Sequence, residues 1–341
     1  MLKGDKMLRI AVLGCGRIGK MHAHNIACHP RAELVAVFDV NKSAAQFVAK
    51  AYSTVVADSD TAVFSNDNID AVLIASATET HSDYIEKAVA AGKPALCEKP
   101  IDLNLERVKS CAAKIAGSNV PIQLGFNRRF DPGHKAARNA MQSGEIGDLH
   151  QIIITSRDPS LPPRSYLEEA GGLLRDMTIH DFDLARFMLD GDPVESVFAI
   201  ASAMINPALG AELNEVDTAM IIMRSVGGIQ VHINNSRTAV YGYDQRVELM
   251  GSAGMVLSDN RKPHECRKYS ASIVEAAEPY QYFFIERYTE SFIAEVDAFI
   301  DTVENGAPTI AGFDDGQQAL ILAEAAYLSL REGRMVYVNE I

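Results

Sequence analysis

The sequence predicts an α/β protein of two domains, a doubly wound parallel sheet followed by an α+β domain with an open, mostly antiparallel sheet. Three observations predict it. Up to about residue 126, short apolar runs alternate with helical patterns. A glycine-rich G-x-G-x-x-G turn follows the first of those runs. After Asp131-Pro132-Gly133 the pattern changes to strands joined by glycine turns. At 341 residues the chain also exceeds one ordinary core of about 100–150 residues. The expected division is 1–127 and 128–341, with the C-terminal helix able to pack back on the first domain.

In chain order, the runs Ile10–Leu13, Leu34–Phe38, Ala71–Ala75, Pro94–Cys97 and Ile122–Phe126 read as strands buried on both faces. Helical patterns lie between them at Gly19–Cys28, Ser43–Ala51, Ser82–Ala91 and Leu105–Ala116. One amphipathic helix follows Pro132. Strand patterns then cover His150–Thr155, Ser196–Ala201, Ala219–Met223, Ile229–Asn234, Gln245–Leu249 and Met255–Leu257, with an embedded helix near Thr178–Leu189. Val226-Gly227-Gly228 and Gly251-Ser252-Ala253-Gly254 suit hairpin turns. Pro159–Pro163 reads as a loop, and helices near Glu286–Glu304 and Asp314–Glu332 close the chain.

A formal net charge of −13 argues against nucleic acid, whose phosphates need a basic surface, and disfavours an anionic membrane. No apolar run is long enough to span a bilayer, and the opening MLKGDKMLRIAVLG lacks the features of a leader, so a cytoplasmic setting is expected. The five cysteines are scattered with no C-x-x-C pair, which fits a reducing compartment and no structural zinc.

Gly14-Cys15-Gly16-Arg17-Ile18-Gly19 follows a strand and opens a helix. Gly14 permits the tight turn, Gly16 lets backbone approach a pyrophosphate, and Gly19 lets helix pack against strand. The positive helix end then faces the phosphates. Asp39 ends the second apolar run, where a carboxylate accepts hydrogen bonds from a ribose 2′-hydroxyl and repels a 2′-phosphate. The expected cofactor is NAD rather than NADP, on a Rossmann domain.

Two further segments carry chemistry. Glu98-Lys99-Pro100 follows an apolar strand and places Lys99 at the carboxyl end of the sheet. In Asp176-Met177-Thr178-Ile179-His180-Asp181-Phe182-Asp183, a helix would put Asp176 and His180 on one face. Carboxylate, imidazole and ammonium suit alcohol oxidation. His180 would take the hydroxyl proton, Asp176 would orient the imidazole or bind a neighbouring hydroxyl, and Lys99 would stabilise the developing alkoxide. Taken singly, Lys99 also reads as a loop lysine, Asp176 as a residue at a helix N-terminus and His180 as a core histidine. His180 and Asp183 share a face as metal ligands would, but no second ligand cluster is apparent and no metal is expected. His22 and His24, two residues apart on the first helix, diverge and read as structural.

These motifs, with Gly125-Phe126-Asn127-Arg128-Arg129-Phe130-Asp131, Gly171-Gly172 and Tyr241-Gly242-Tyr243-Asp244, resemble the glucose–fructose oxidoreductase/inositol dehydrogenase (Gfo/Idh/MocA) family over essentially the whole chain, most of all its inositol dehydrogenases. The resemblance implies Lys99, Asp176 and His180 as the catalytic set, and Arg128 and Tyr243 at the substrate pocket. Ser76, Thr78 and His81, with Glu98 and Lys99, would lie close to the cofactor. It implies NAD-dependent oxidation of myo-inositol to scyllo-inosose in polyol catabolism, and a homo-oligomer, often a tetramer, built through the outer face of the second sheet. Where some inositol dehydrogenases carry a histidine, this chain reads Thr155-Ser156-Arg157-Asp158-Pro159, which leaves the exact polyol open. Rivals are a related cyclitol or aldose dehydrogenase, with Arg128-Arg129 suiting an acidic sugar or forming an exposed basic pair, and a non-catalytic NAD-binding regulator, which would need no Lys99, Asp176 and His180 together.

Overall fold

Strands with apolar side chains on both faces can only be buried between helical layers, and the first sheet is built from such strands. The computed structural model describes residues 7–341. Residues 1–6, part of the stretch in which no leader is expected, lie outside the described residues. The first sheet contains β1 (Leu8–Leu13), β2 (Ala32–Phe38), β3 (Val55–Val56), β4 (Ala71–Ile74), β5 (Ala95–Cys97) and β6 (Ile122–Leu124). Its order is β3-β2-β1-β4-β5-β6 with every neighbouring pair parallel, so the direction of winding reverses between β1 and β4. The connecting helices are α1 (Arg17–Ala27), α2 (Lys42–Tyr52), α3 (Asp60–Phe64), α4 (His81–Ala90) and α5 (Leu105–Ile115). Asn41 and Asn104 cap α2 and α5 through their side-chain oxygens. The short β3 and α3 were not expected.

The second sheet is mixed. Its order is β12-β11-β7-β10-β9-β8-β15, from β7 (Leu149–Arg157), β8 (Val194–Ser202), β9 (Thr218–Ser225), β10 (Gln230–Ser236), β11 (Asp244–Gly251), β12 (Met255–Ser258) and β15 (Val336–Tyr337). β7 and β10 run parallel, and the other neighbouring pairs antiparallel. β13 (Arg267–Lys268) and β14 (Ala276–Ala277) pair separately. Alternation sets the two faces: along β9, Ala219, Ile221 and Met223 are buried whereas Met220 and Ile222 are exposed. Between strands lie α6 (Pro132–Gln142), α7 (Arg164–Glu169), α8 (Leu173–Asp176), α9 (Thr178–Met188) and α10 (Pro207–Leu213). Of these, α7 and α10 were not expected. The final helices are α11 (Phe284–Arg287), α12 (Thr289–Asn305) and α13 (Phe313–Glu332). The single helix expected over Glu286–Glu304 is therefore two, interrupted at Tyr288, whose φ of −111° and ψ of 19° are not helical.

The chain divides into two units, but not as two contiguous segments. One comprises the described residues up to Phe130 together with Glu290–Gln318; the other comprises Asp131–Thr289 and Ala319–Ile341. The expected division at 127/128 misses that exchange of segments. Its physical reason is burial: Val296, Phe299 and Ile300 of α12 belong to the same core as Ile10, Val12, Ala23, Ile26, Leu34 and Val37. Arg31 reinforces the packing by pairing with Asp297, Asp301 and Glu304 along α12. Residues 311 and 312 then run beside β6, where Leu124 N–H donates to Ala311 O at 2.8 Å. Among the described residues no helix is long and apolar enough to cross a membrane.

Candidate active site

The glycine turn lies after β1, at the carboxyl end of the first sheet and at its switch in winding, the place where such sheets bind ligands. Gly14 has φ +99°, and a Cβ there would sit 2.3 Å from Ala75 O. A Cβ on Gly19 would lie 1.9 Å from Gly14 O, so only glycine lets α1 approach β1 this closely. A Cβ on Gly16 would meet nothing within 4 Å. The N-terminus of α1 has no side-chain cap and no acidic residue in its first turn. Open space before uncapped N–H groups is the cradle a pyrophosphate needs, with Arg17 and Ile18 in that turn. Asp39 follows β2, and its carboxylate accepts from Cys15 N–H at 2.6 Å and Asn41 N–H at 2.7 Å. That places a fixed negative charge beside the glycine turn, as a ribose contact requires. Burial pushes the Cys15 thiol up to about 12, which keeps it inert.

Ser76 and the turn Thr78–Thr80 follow β4; Ser76 Oγ lies 2.6 Å from Thr80 Oγ1. His81 begins α4 and is 2% exposed, with Nδ1 2.8 Å from Pro100 O and Nε2 3.1 Å from Ser76 O. Burial holds this imidazole below its usual range, against the pull of both carbonyls. Each ring nitrogen faces a main-chain carbonyl, the neutral ring's single N–H donating to one of them, and His81 ties the loop after β4 to the turn after β5. That turn carries Glu98 and half-buried Lys99, followed by a cis Lys99-Pro100 bond.

The same unit brings His22 to Glu98 (Nε2 to Oε1 2.8 Å) and to Glu295 of α12; donor atoms of all three lie within 4.8 Å of one another. The 2.8 Å separation is that of an N–H···O bond, so the cluster reads as a hydrogen-bonded acid group rather than an ion cage. His24, two residues on, instead faces Tyr52, so the two histidines do diverge. Arg128 and Arg129 are buried, at 3% and 5% exposure, which corrects the alternative of an exposed basic pair. Arg129 donates to Ile310 O at 2.6 Å and pairs with Asp315 at 2.8 Å.

Asp176, His180 and Tyr243 lie in the second unit. Asp176 closes α8 and His180 sits in the first turn of α9, so Met177 separates them rather than one unbroken helix. Asp176 Oδ1 accepts from the Tyr166 hydroxyl at 2.7 Å, and Oδ2 accepts from Arg237 Nη1 at 2.9 Å. Arg237, 2% exposed, also lies 3.5 Å from Asp158. Burial alone would lower the guanidinium's affinity for its proton, but Asp176 and Asp158 outweigh it. Burial and then Asp176 push the Tyr166 phenol above its ordinary range, so it stays a donor. α9 is anchored where Thr178 Oγ1 donates to Asn235 Oδ1 at 2.7 Å and Asn235 Nδ2 donates to Asp181 Oδ2 at 2.8 Å. Tyr243 is buried and stacks edge-on against Tyr288 at 6.1 Å. Sequence reasoning missed Arg237, Tyr166 and Glu295. Arg237 follows β10 with no signal of its own, whereas Glu295 interrupts the apolar stripe Phe292, Val296, Phe299.

Residues 8–126 match the model of an oxidoreductase family with an NAD-binding Rossmann fold, and residues 134–257 match the GFO/IDH/MocA C-terminal domain. An inositol 2-dehydrogenase of Rhizobium meliloti is 43% identical over 331 residues, covering 97% of this chain and 99% of its own. A myo-inositol dehydrogenase structure from Corynebacterium glutamicum superposes with TM-score 0.93 at 43% identity, covering 97% of this chain and 98% of that one. A scyllo-inositol dehydrogenase of Lactobacillus casei, solved with NAD(H) and scyllo-inositol, gives TM-score 0.90 at 30% identity, covering 98% and 100%.

Proposed function

Because the chain belongs to the GFO/IDH/MocA family and is an NAD-dependent oxidoreductase, we propose that it oxidises myo-inositol to scyllo-inosose, with His180 as general base. The observation that carries this reading is the likeness of nearly the whole chain to relatives named for inositol. NAD, when bound, supplies the hydride acceptor. Gly14, Gly16, Arg17, Ile18 and Gly19 would hold its pyrophosphate and Asp39 its ribose; Ser76, Thr78, His81 and Glu98 would border it. The chain's own residues do the remaining chemistry. His180 takes the hydroxyl proton, Lys99 stabilises the developing alkoxide, and Asp176, gripped by Tyr166 and Arg237, is left as a fixed acceptor for a neighbouring hydroxyl. Arg128 and Tyr243 contact the ring.

NADH formation across a panel of inositols and aldoses tests the reading. Myo-inositol should give the highest kcat/KM with NAD, NADP should be poor, and Asp39→Ala should narrow the gap between the two cofactors. A preference for an aldose overturns the substrate, and an unchanged cofactor ratio in the variant overturns the ribose contact. Scyllo-inositol is the second reading, favoured by the ring bound in the Lactobacillus casei neighbour.

The proposed partner is a second copy of the chain, in a homotetramer. Ile200, Met220 and Ile222 stand side by side and at least half exposed on the outer face of β8 and β9, a patch that self-association would cover. Ile222→Glu should lower the mass measured by sedimentation; a monomeric parent protein overturns the assembly. The five free thiols support the cytoplasm as its setting.

A further inference from the structure

Glu295 is fully buried on the apolar stripe of α12, and neither of its carboxylate oxygens receives a hydrogen bond. The titratable groups that face it are His22 of α1 and Glu98 after β5. His22 Nε2 lies 2.8 Å from Glu98 Oε1, while Glu98 Oε2 rests over Gly125, where a Cβ would sit 2.8 Å from it. Two carboxylates this close in the interior cannot both be ionised without a compensating charge, and an undonated one is the costlier of the two. Glu98 has a donor in His22, so the charge belongs on Glu98 and the proton on Glu295.

We propose that Glu295 is a positioning residue: as the neutral acid it turns its proton toward Glu98, which His22 holds from the other side, and together they fix the turn that carries Lys99. Burial, then Glu98, holds the Glu295 carboxyl well above the ordinary range, in keeping with that assignment. The effect on Lys99 rests on the proposed dehydrogenase reaction; the buried proton does not.

The sign of the linkage gives a test free of activity. The unfolded chain ionises Glu295 above about pH 4.3, whereas the folded protein keeps the proton, so this group lowers stability as pH rises toward its folded-state value. Glu295→Gln keeps the shape and abolishes that dependence. The thermal midpoint of Glu295→Gln, measured relative to the parent from pH 5 to 9, should therefore rise with pH; a pH-independent difference overturns the buried proton. With the best substrate of the panel, Glu295→Ala should lower kcat about tenfold with the NAD dissociation constant nearly unchanged, and Glu295→Gln should restore most of it. Equal kcat in the alanine variant and the parent overturns the positioning role. A stoichiometric divalent cation in the purified protein, lost in Glu295→Gln, also overturns the assignment. An enzyme inactive on every cyclitol refutes the proposed reaction instead, and the pH series still decides the proton.

Discussion

Replacing His180 by alanine should lower kcat at least about a hundredfold, the usual cost of losing a general base. α9 is held by Thr178 and Asp181 through Asn235 and by the buried Ile179, Phe182 and Met188, none of which depends on the imidazole. His180 is only half-buried, so its removal opens no large core cavity. The glycine turn and Asp39 lie in the other unit, so NAD binding should persist. The expected signature is thus a fall in kcat at nearly constant NAD affinity and thermal midpoint. Turnover within a few-fold of the parent would remove His180 from the proton transfer, and a parallel loss of NAD affinity would point to a misfolded variant.

Arg287→Met should cost about 3–5 kcal/mol of stability, because it strands a buried carboxylate. Arg287 and Asp131 each expose only 1% of their side chains, and Nη1 lies 2.5 Å from Asp131 Oδ2. Asp131 Oδ1 meanwhile caps α6 by accepting from His134 N–H at 3.0 Å. Burial alone would raise the Asp131 carboxyl, yet His134 and Arg287 together hold it below its usual range. A depressed carboxyl stabilises the fold above its unfolded value of about 3.9 and loses that contribution as pH falls through the folded value. Denaturant melts at neutral pH should therefore show the loss, and the gap between variant and parent should shrink toward pH 3. Adding Asp131→Asn to Arg287→Met should recover part of it. A shift under about 1 kcal/mol at neutral pH would mean that solvent reaches the pair after all.

What could be read in advance follows from how far each signal reaches along the chain. The parallel strands announced themselves because burial on both faces makes a strand a continuous apolar run; Ala71–Ile74 is buried at every position. The glycine turn was legible because its spacing joins one strand to one helix, although only Gly19 answers to a contact within that unit; Gly14 answers to Ala75, after β4. β3, at two residues, is too short to carry a pattern, and α10, seven residues capped by Asn206 and started by Pro207, is little longer. The site divides along the same line. Lys99, Asp176 and His180 are singled out by their motifs and stand as the proposed catalytic set. Arg237 reaches Asp176 across 61 residues, and His22 reaches Glu98 across 76, so nothing in either neighbourhood announces the partner. The break at Tyr288 was missed because its side chain fits the apolar pattern and only its backbone departs from it.

The return of α12 to the first unit has a consequence for synthesis. A ribosome that has released only the N-terminal half of this chain has made the six strands of the first sheet but not Val296, Phe299 and Ile300, which complete its core. That half-made layer must wait, with apolar surface open, until the whole second unit's first segment has emerged. A fragment cut at Phe130 would lack part of its own interior and should aggregate, so isolating the cofactor-binding half calls for splicing Glu290–Gln318 back onto it.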